Sequence, residues 1–237
     1  MDKKNSCFYN EDGTMRSIEE IIEEYNAEIE ANTNPFVNSS LNAFVHPDYQ
    51  IDSIKALETF SFISRNLYLT DEIKHEHAIS FSDAISFWNF IDETDGVPVE
   101  EREPIKIFID TPGGDLDATL SIIDCITLSK TPVWTITTGS GSSGGFFVGM
   151  CGHKRIGYPH STYLFHEGSC QNGGDAHKYF QFDDFYKKRL KTLKELTLEK
   201  TKFTEEFYKN HKKDDVWLSA EEALQKGIID EIATELI

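Results

Sequence analysis

The chain has 237 residues and is strongly acidic, with 41 Asp and Glu against 23 Lys and Arg for a net charge of −18. That balance argues against nucleic acid or an anionic membrane as a partner. A hydrophobic content of 39% suffices for one domain with a substantial core plus an appendage. The cysteines Cys7, Cys125, Cys151 and Cys170 show no CxxC spacing and read as free thiols. No apolar stretch approaches the ~20 residues that span a bilayer. Met1-Asp2-Lys3-Lys4 leads into a polar segment rather than a secretory leader, so a cytoplasmic location is expected.

Ser17-Ile18-Glu19-Glu20 is a capping box that opens an amphipathic helix, with Ile18, Ile21, Ile22, Tyr25 and Ile29 on one face. An Asn/Ser/Pro-rich linker over 32–40 follows, then a mixed run over 41–63 carrying Phe44, Tyr49, Phe60 and Phe62. The pattern predicts an N-terminal extension over residues 1–55 and one domain over 56–237. Within that domain, strand patterns at 66–70 and 104–110 alternate with helix patterns at 72–91 and 115–128. A third strand is expected over 133–137, and a tight Ser/Gly turn should then lead into a buried helix at Phe146-Phe147-Val148. A short basic hairpin at 154–159 and a core strand at 161–165 come next, then a long helix over 176–202. Ser219 to Glu222 forms a second capping box, closed by Gly227. Repeated strand–helix units imply an α/β fold around a mainly parallel sheet.

Three places in this pattern can carry chemistry. In Thr138-Gly139-Ser140-Gly141-Ser142-Ser143-Gly144-Gly145, a serine can stand exposed on a sharp turn with neighbouring N–H groups facing its reaction partner. His166 sits at the end of an apolar strand, where loops hold reactive groups. Thr111-Pro112-Gly113-Gly114 breaks another strand, and its glycines let the backbone approach a ligand closely. Ser140, Ser142 and Ser143 compete as nucleophile, and Asp214 competes with Asp215 as the acid. His75-x-His77 lacks a Cys/His partner set, and His153 and His160 read as structural, so no metal site is expected.

Together these residues resemble the proteolytic subunit of the Clp protease, a ClpP-like serine peptidase family that shares its β-β-α superfold with the crotonases. The resemblance runs from about Arg65 to the C-terminus. It rests on Asn66-Leu67-Tyr68-Leu69-Thr70, the Thr-Pro-Gly-Gly turn, Gly-x-x-x-Ser-x-Gly, the strand-end histidine and Leu-Ser-Ala-Glu-Glu-Ala…Gly-Ile-Ile-Asp. The family register implies Ser143 as nucleophile, His166 as general base, Asp215 as orienting acid, and the backbone N–H groups of Gly114 and Gly144 as oxyanion donors. That set meets the chemical need: serine requires a base within hydrogen-bond reach and a carboxylate to fix the imidazole tautomer. The order Ser…His…Asp differs from those of chymotrypsin, subtilisin and the α/β-hydrolases.

The resemblance further implies an ATP-dependent endopeptidase subunit that hydrolyses peptide or unfolded protein. It points to two stacked heptameric rings, a tetradecamer, joined through the long helix as a handle. Entry would be controlled by an AAA+ unfoldase that alone uses ATP, with no cofactor in the peptidase itself. The basic run Lys187, Lys188, Arg189, Lys191, Lys194, Lys200 and Lys202 suggests that this helix meets the acidic surface of another copy. The chain departs from the family at His166-Glu167-Gly168, where His-Gln-Pro is usual, and at Gly144, where methionine is usual. Glu167 is thereby expected beside the imidazole. Readings that share the fold are a phage head-maturation protease, a crotonase-like acyl-CoA enzyme, and an inactive scaffold; the last is disfavoured because all three triad positions are occupied.

Overall fold

The computed structural model of the chain describes residue 61 and residues 64–168 and 175–237. The expected N-terminal helix, the linker and the boundary near residue 55 lie outside the described residues, as do Cys7 and Cys170. Along the chain the elements are β1 (Asn66–Leu69), α1 (His75–Thr94), β2 (Ile105–Thr111), α2 (Leu116–Leu128), β3 (Val133–Ser142) and α3 (Gly144–Gly149). They continue with β4 (Lys154–Gly157), β5 (Thr162–Phe165), α4 (Ala176–Lys200), α5 (Glu205–His211), β6 (Val216–Ser219), α6 (Ala220–Gln225) and β7 (Glu231–Ile232).

The seven strands form one sheet in the order β1-β2-β3-β4-β7, with β5 pairing β3 and β6 pairing β5. All pairs are parallel except β5 with β6. The alternating strand–helix pattern thus produces the expected mainly parallel sheet. Ile105, Ile107 and Ile109 of β2 are fully buried beside Val133 and Ile136 of β3, the near-continuous apolar pattern of strands covered on both faces. Each such side chain contributes about 1.5–3 kcal/mol on burial. Helix α1 buries Ala78, Phe81, Ile85, Trp88 and Asp92, a stripe at helical spacing, while Ile79, Phe87 and Phe90 of the same helix stay exposed.

Three expectations are corrected. The strand expected to stop at Thr137 runs on to Ser142, because Ser140, Gly141 and Ser142 find ladder partners in Thr162, Tyr163 and Leu164 of β5. Tertiary pairing overrides the low strand preference of a Ser/Gly string. The expected hairpin at 154–159 is instead a parallel strand: Trp134 to Thr137 pair with β4, and β4 in turn pairs with β7. Strand β3 therefore splits its partners, β4 along its first half and β5 along its second. The first helix begins at His75 rather than residue 72, since Ile73 is held in a bridge with Gly114.

At the N-terminal ends of the strands a polar cluster holds the layers together. Asp92 is buried and receives both Arg65 Nη atoms, at 2.8 and 2.6 Å, and the Thr131 hydroxyl at 2.7 Å. Burial pushes this carboxyl up, but the hydrogen bonds of Arg65 and Thr131 and the charges of Arg65 and Arg102 outweigh that and hold it below the usual carboxylate range.

Candidate active site

The site forms at the opposite end of the sheet, where β2, β3 and β5 finish. β3 ends at Ser142, and Ser143 takes φ 53° and ψ −115° before α3 begins. A non-glycine residue pays about 1–3 kcal/mol to hold such a conformation. Two interactions enforce it: the Ser143 N–H donates to Leu164 O at 2.9 Å, and the buried helix α3 draws the chain inward immediately afterwards. The turn presents the Ser143 hydroxyl 2.7 Å from His166 Nε2.

His166 follows β5 directly and Asp215 precedes β6, so the antiparallel β5–β6 ladder, in which Phe165 faces Val216, brings the two together. His166 Nδ1 lies 3.3 Å from Asp215 Oδ1. With the Nδ1 proton facing that carboxylate, Nε2 is left to accept the serine proton. The structure thereby brings Ser143, His166 and Asp215 into one chain of contacts. Ser140 and Ser142 instead share a hydroxyl contact of 2.7 Å with one another, away from the imidazole. Asp214 is exposed, and its N–H is bonded to His211 O.

The Gly113–Gly114 turn is pinned beside the serine. Ile73 N–H donates to Gly113 O at 2.8 Å and Asp115 N–H donates to Ile73 O at 2.9 Å. In this parallel bridge the flanking groups point at Ile73, so the Gly114 N–H faces the other way. A Cβ at Gly114 would lie 2.3 Å from Ile73 O, which reserves the position for glycine. A Cβ at Gly144 would lie 2.6 Å from the Thr119 hydroxyl and 3.4 Å from the Gly114 N. The two amides expected as oxyanion donors are therefore neighbours, and neither meets an acceptor among the described residues. Thr119 is fully buried and holds its hydroxyl on Asp115 O at 2.7 Å, which gives a local reason for glycine at residue 144.

Glu167 acts on Tyr208 of α5. Burial, then the charge and the nearby carboxylate of Glu167, push the Tyr208 phenol well above its ordinary range, although no well-aligned hydrogen bond reaches its hydroxyl among the described residues. A cavity of about 340 Å³ opens next to the serine turn, lined by Asp110, Thr111, Pro112, Ser140, Ser142, Leu164 and Trp217. Sequence reasoning missed it, because only strand pairing brings Leu164 and Trp217 to the two motif turns that complete its walls. No three His, Cys, Asp or Glu side chains converge as a metal site among the described residues. No helix among them is long and apolar enough to cross a membrane.

A serine on a strained strand-to-helix turn, with a histidine and then a carboxylate in contact, defines the class of the site as that of a serine hydrolase. The Clp protease family model matches residues 55–236, and the chain belongs to that family of serine peptidases. It is 35% identical over 134 residues to the ATP-dependent Clp protease proteolytic subunit 2 of Treponema denticola, covering 55% of this chain and 66% of that protein. It is 30% identical over 178 residues to the corresponding subunit 2 of Prochlorococcus marinus, covering 73% of this chain and 82% of that one. A ClpP1 variant from Listeria monocytogenes superimposes with a TM-score of 0.64 at 24% identity, over 76% of this chain and 96% of that chain, a likeness of fold.

Proposed function

We propose that this chain is the proteolytic subunit of a Clp-type serine endopeptidase. The observation that carries the reading is the 2.7 Å contact between the Ser143 hydroxyl, on its positive-φ turn, and His166 Nε2. In this mechanism His166 takes the hydroxyl proton as Ser143 Oγ attacks the scissile carbonyl. Asp215 stabilises the imidazolium that forms, and the amides of Gly114 and Gly144 receive the oxyanion. His166 then returns its proton to the leaving amine, and water cleaves the acyl-enzyme by the reverse sequence.

Assembly into two heptameric rings around an enclosed chamber belongs to the same reading, with an AAA+ unfoldase supplying unfolded substrate. Its local support is α4. Leu193 and Thr197 near its C-terminal end are buried, whereas Tyr179, Phe180, Phe182 and Phe185 near its start are exposed. Exposed aromatics in such a row suit contact with another copy. The basic run contributes less to that contact than its charge suggests. Lys187 pairs with Asp183, Lys191 with Glu195, Arg189 with Asp117 and Lys194 with Glu205, all within the subunit.

Hydrolysis of short fluorogenic peptides by the wild type and by Ser143→Ala tests the proposal, alongside sedimentation of both. Turnover by the wild type alone, in a large closed oligomer, is the expected result; equal turnover by the variant contradicts it.

A further inference from the structure

Of the chemistry-bearing features outside the catalytic contacts, the cavity beside the serine turn is the one whose walls specify an occupant. Ser140 and Ser142 alternate along β3 and so face one side of the sheet. Leu164 is the register partner of Ser142, and Trp217 is the partner of Leu164 across the β5–β6 pair. His166 and Asp215 lie two residues further along, just beyond the ends of those two strands. At ~3.3 Å per residue the cavity is about 7 Å along the ladder from the imidazole, within reach of a substrate side chain flanking the cut bond. Neither Ser143 nor His166 lines it, so it is free to hold a side chain while the reaction proceeds.

Its chemistry is asymmetric. Among the described residues Asp110 is the single ionisable group in the lining, and no base accompanies it. Asp110 Oδ1 accepts the Ser140 N–H at 2.8 Å, and Oδ2 has no partner among the described residues. Leu164, Pro112 and the exposed Trp217 supply apolar walls, and the paired Ser140 and Ser142 hydroxyls supply lone pairs. A long aliphatic stem ending in a cation satisfies all of these at once: the stem lies along Leu164 and Trp217, and the charged head meets Oδ2. An acidic side chain is repelled by Asp110, and a purely apolar one forgoes the contact with its carboxylate.

We infer that this cavity is a specificity subsite for a lysine or arginine side chain next to the scissile bond, with Asp110 as its determinant. The inference rests on the peptidase reading above and adds the substrate class. It is tested with matched fluorogenic peptides that place lysine, norleucine or glutamate at each position flanking the cut. At one position the wild type should favour lysine over norleucine, which keeps the aliphatic stem but lacks the ammonium, by about tenfold in kcat/KM, and should disfavour glutamate further. The preference should shrink with added salt. Asp110→Asn, which keeps an acceptor for the Ser140 N–H, should bring the lysine-to-norleucine ratio to about one, whereas the exposed Asp124→Asn on α2 should preserve it. A wild type that cleaves norleucine peptides as well as lysine peptides at every position overturns the subsite and leaves the peptidase reading intact. So does a ratio that Asp110→Asn does not move. If Asp110→Asn does not fold, the wild-type ratio and its salt dependence decide alone. Absence of cleavage of every peptide overturns both readings.

Discussion

The two ends of the parallel sheet use polar residues in opposite ways. At the N-terminal ends Asp92 is buried, and both of its oxygens are engaged by Arg65 and Thr131. At the C-terminal ends Ser143 is held at positive φ, two glycine amides meet no acceptor among the described residues, and Asp215 is 64% exposed. The first arrangement engages both oxygens of its buried carboxylate and ties α1 to the strand beginnings; the second leaves groups poised for a molecule from outside. Loops at the C-terminal edge of parallel strands are where α/β folds place their ligands. The difference teaches that polarity alone does not mark a site. Strain alone does not either, since Arg65 also stands at φ 55°; the C-terminal end is set apart by a strained hydroxyl in contact with an imidazole, beside backbone amides that meet no acceptor among the described residues.

The comparison predicts that substitutions at one end cost turnover and at the other cost stability. The largest effect is expected at the C-terminal end, where Ser143→Ala and His166→Ala should each lower kcat by roughly 10⁴-fold or more, since nucleophile and base act as a unit. Thermal melts of both variants should match the wild type closely, and peptide hydrolysis with melting curves checks the pair. Gly114→Ala should lose about 10²-fold or more in kcat, because displacing one oxyanion amide typically costs about 3–4 kcal/mol of barrier. A Gly114→Ala enzyme with wild-type kcat would remove that amide from the mechanism.

At the N-terminal end, Asp92→Ala removes the buried carboxylate and leaves the half-buried Arg65 guanidinium with Glu103 O as its remaining acceptor; it should cost about 3 kcal/mol, read by denaturant unfolding. The pH dependence has a definite sign. The Asp92 carboxyl is lowered in the folded state, so its contribution is fully present above the unfolded value of ~3.9 and is lost as pH falls through the lowered folded value. Asp92→Asn should therefore flatten the acid limb of the melting-temperature profile. The smallest effect sharpens the claim of strain: Ser143→Gly should raise stability by about 1 kcal/mol while abolishing turnover. For a domain of this size that is a rise of about 2–4 °C in melting temperature, and a fall would show the Ser143 conformation to be unstrained.

Much of the C-terminal end was legible in the sequence, because its chemistry travels in short motifs. The Ser/Gly string, the strand-end histidine and the Asp215-x-x-x-Ser219 spacing each fix a residue relative to a local element. Tertiary pairing decided what those motifs could not express. The strand runs on through Gly141 because β5 on one side and Thr111 of β2 on the other supply partners for it. Residues 154–157 extend rather than turn back because β3 and β7 flank them. The Arg65–Asp92 pair spans 27 positions, and Asp110 meets Ser140 across 30, so neither leaves a periodic trace. The expectation for Glu167 rests on adjacency in sequence; that its charge also reaches Tyr208, brought near by α5, leaves no trace in the spacing.

The central claim is that Ser143 is an activated nucleophile, and covalent labelling tests it most directly. The intact protein is treated with a fluorophosphonate, and the adduct is mapped by peptide mass spectrometry in the wild type, His166→Ala and Ser143→Ala. The account predicts a single adduct on Ser143 in the wild type, labelling slowed by orders of magnitude in His166→Ala, and none in Ser143→Ala. An unlabelled wild type, or an adduct on Ser140 or Ser142 that persists in Ser143→Ala, would contradict it.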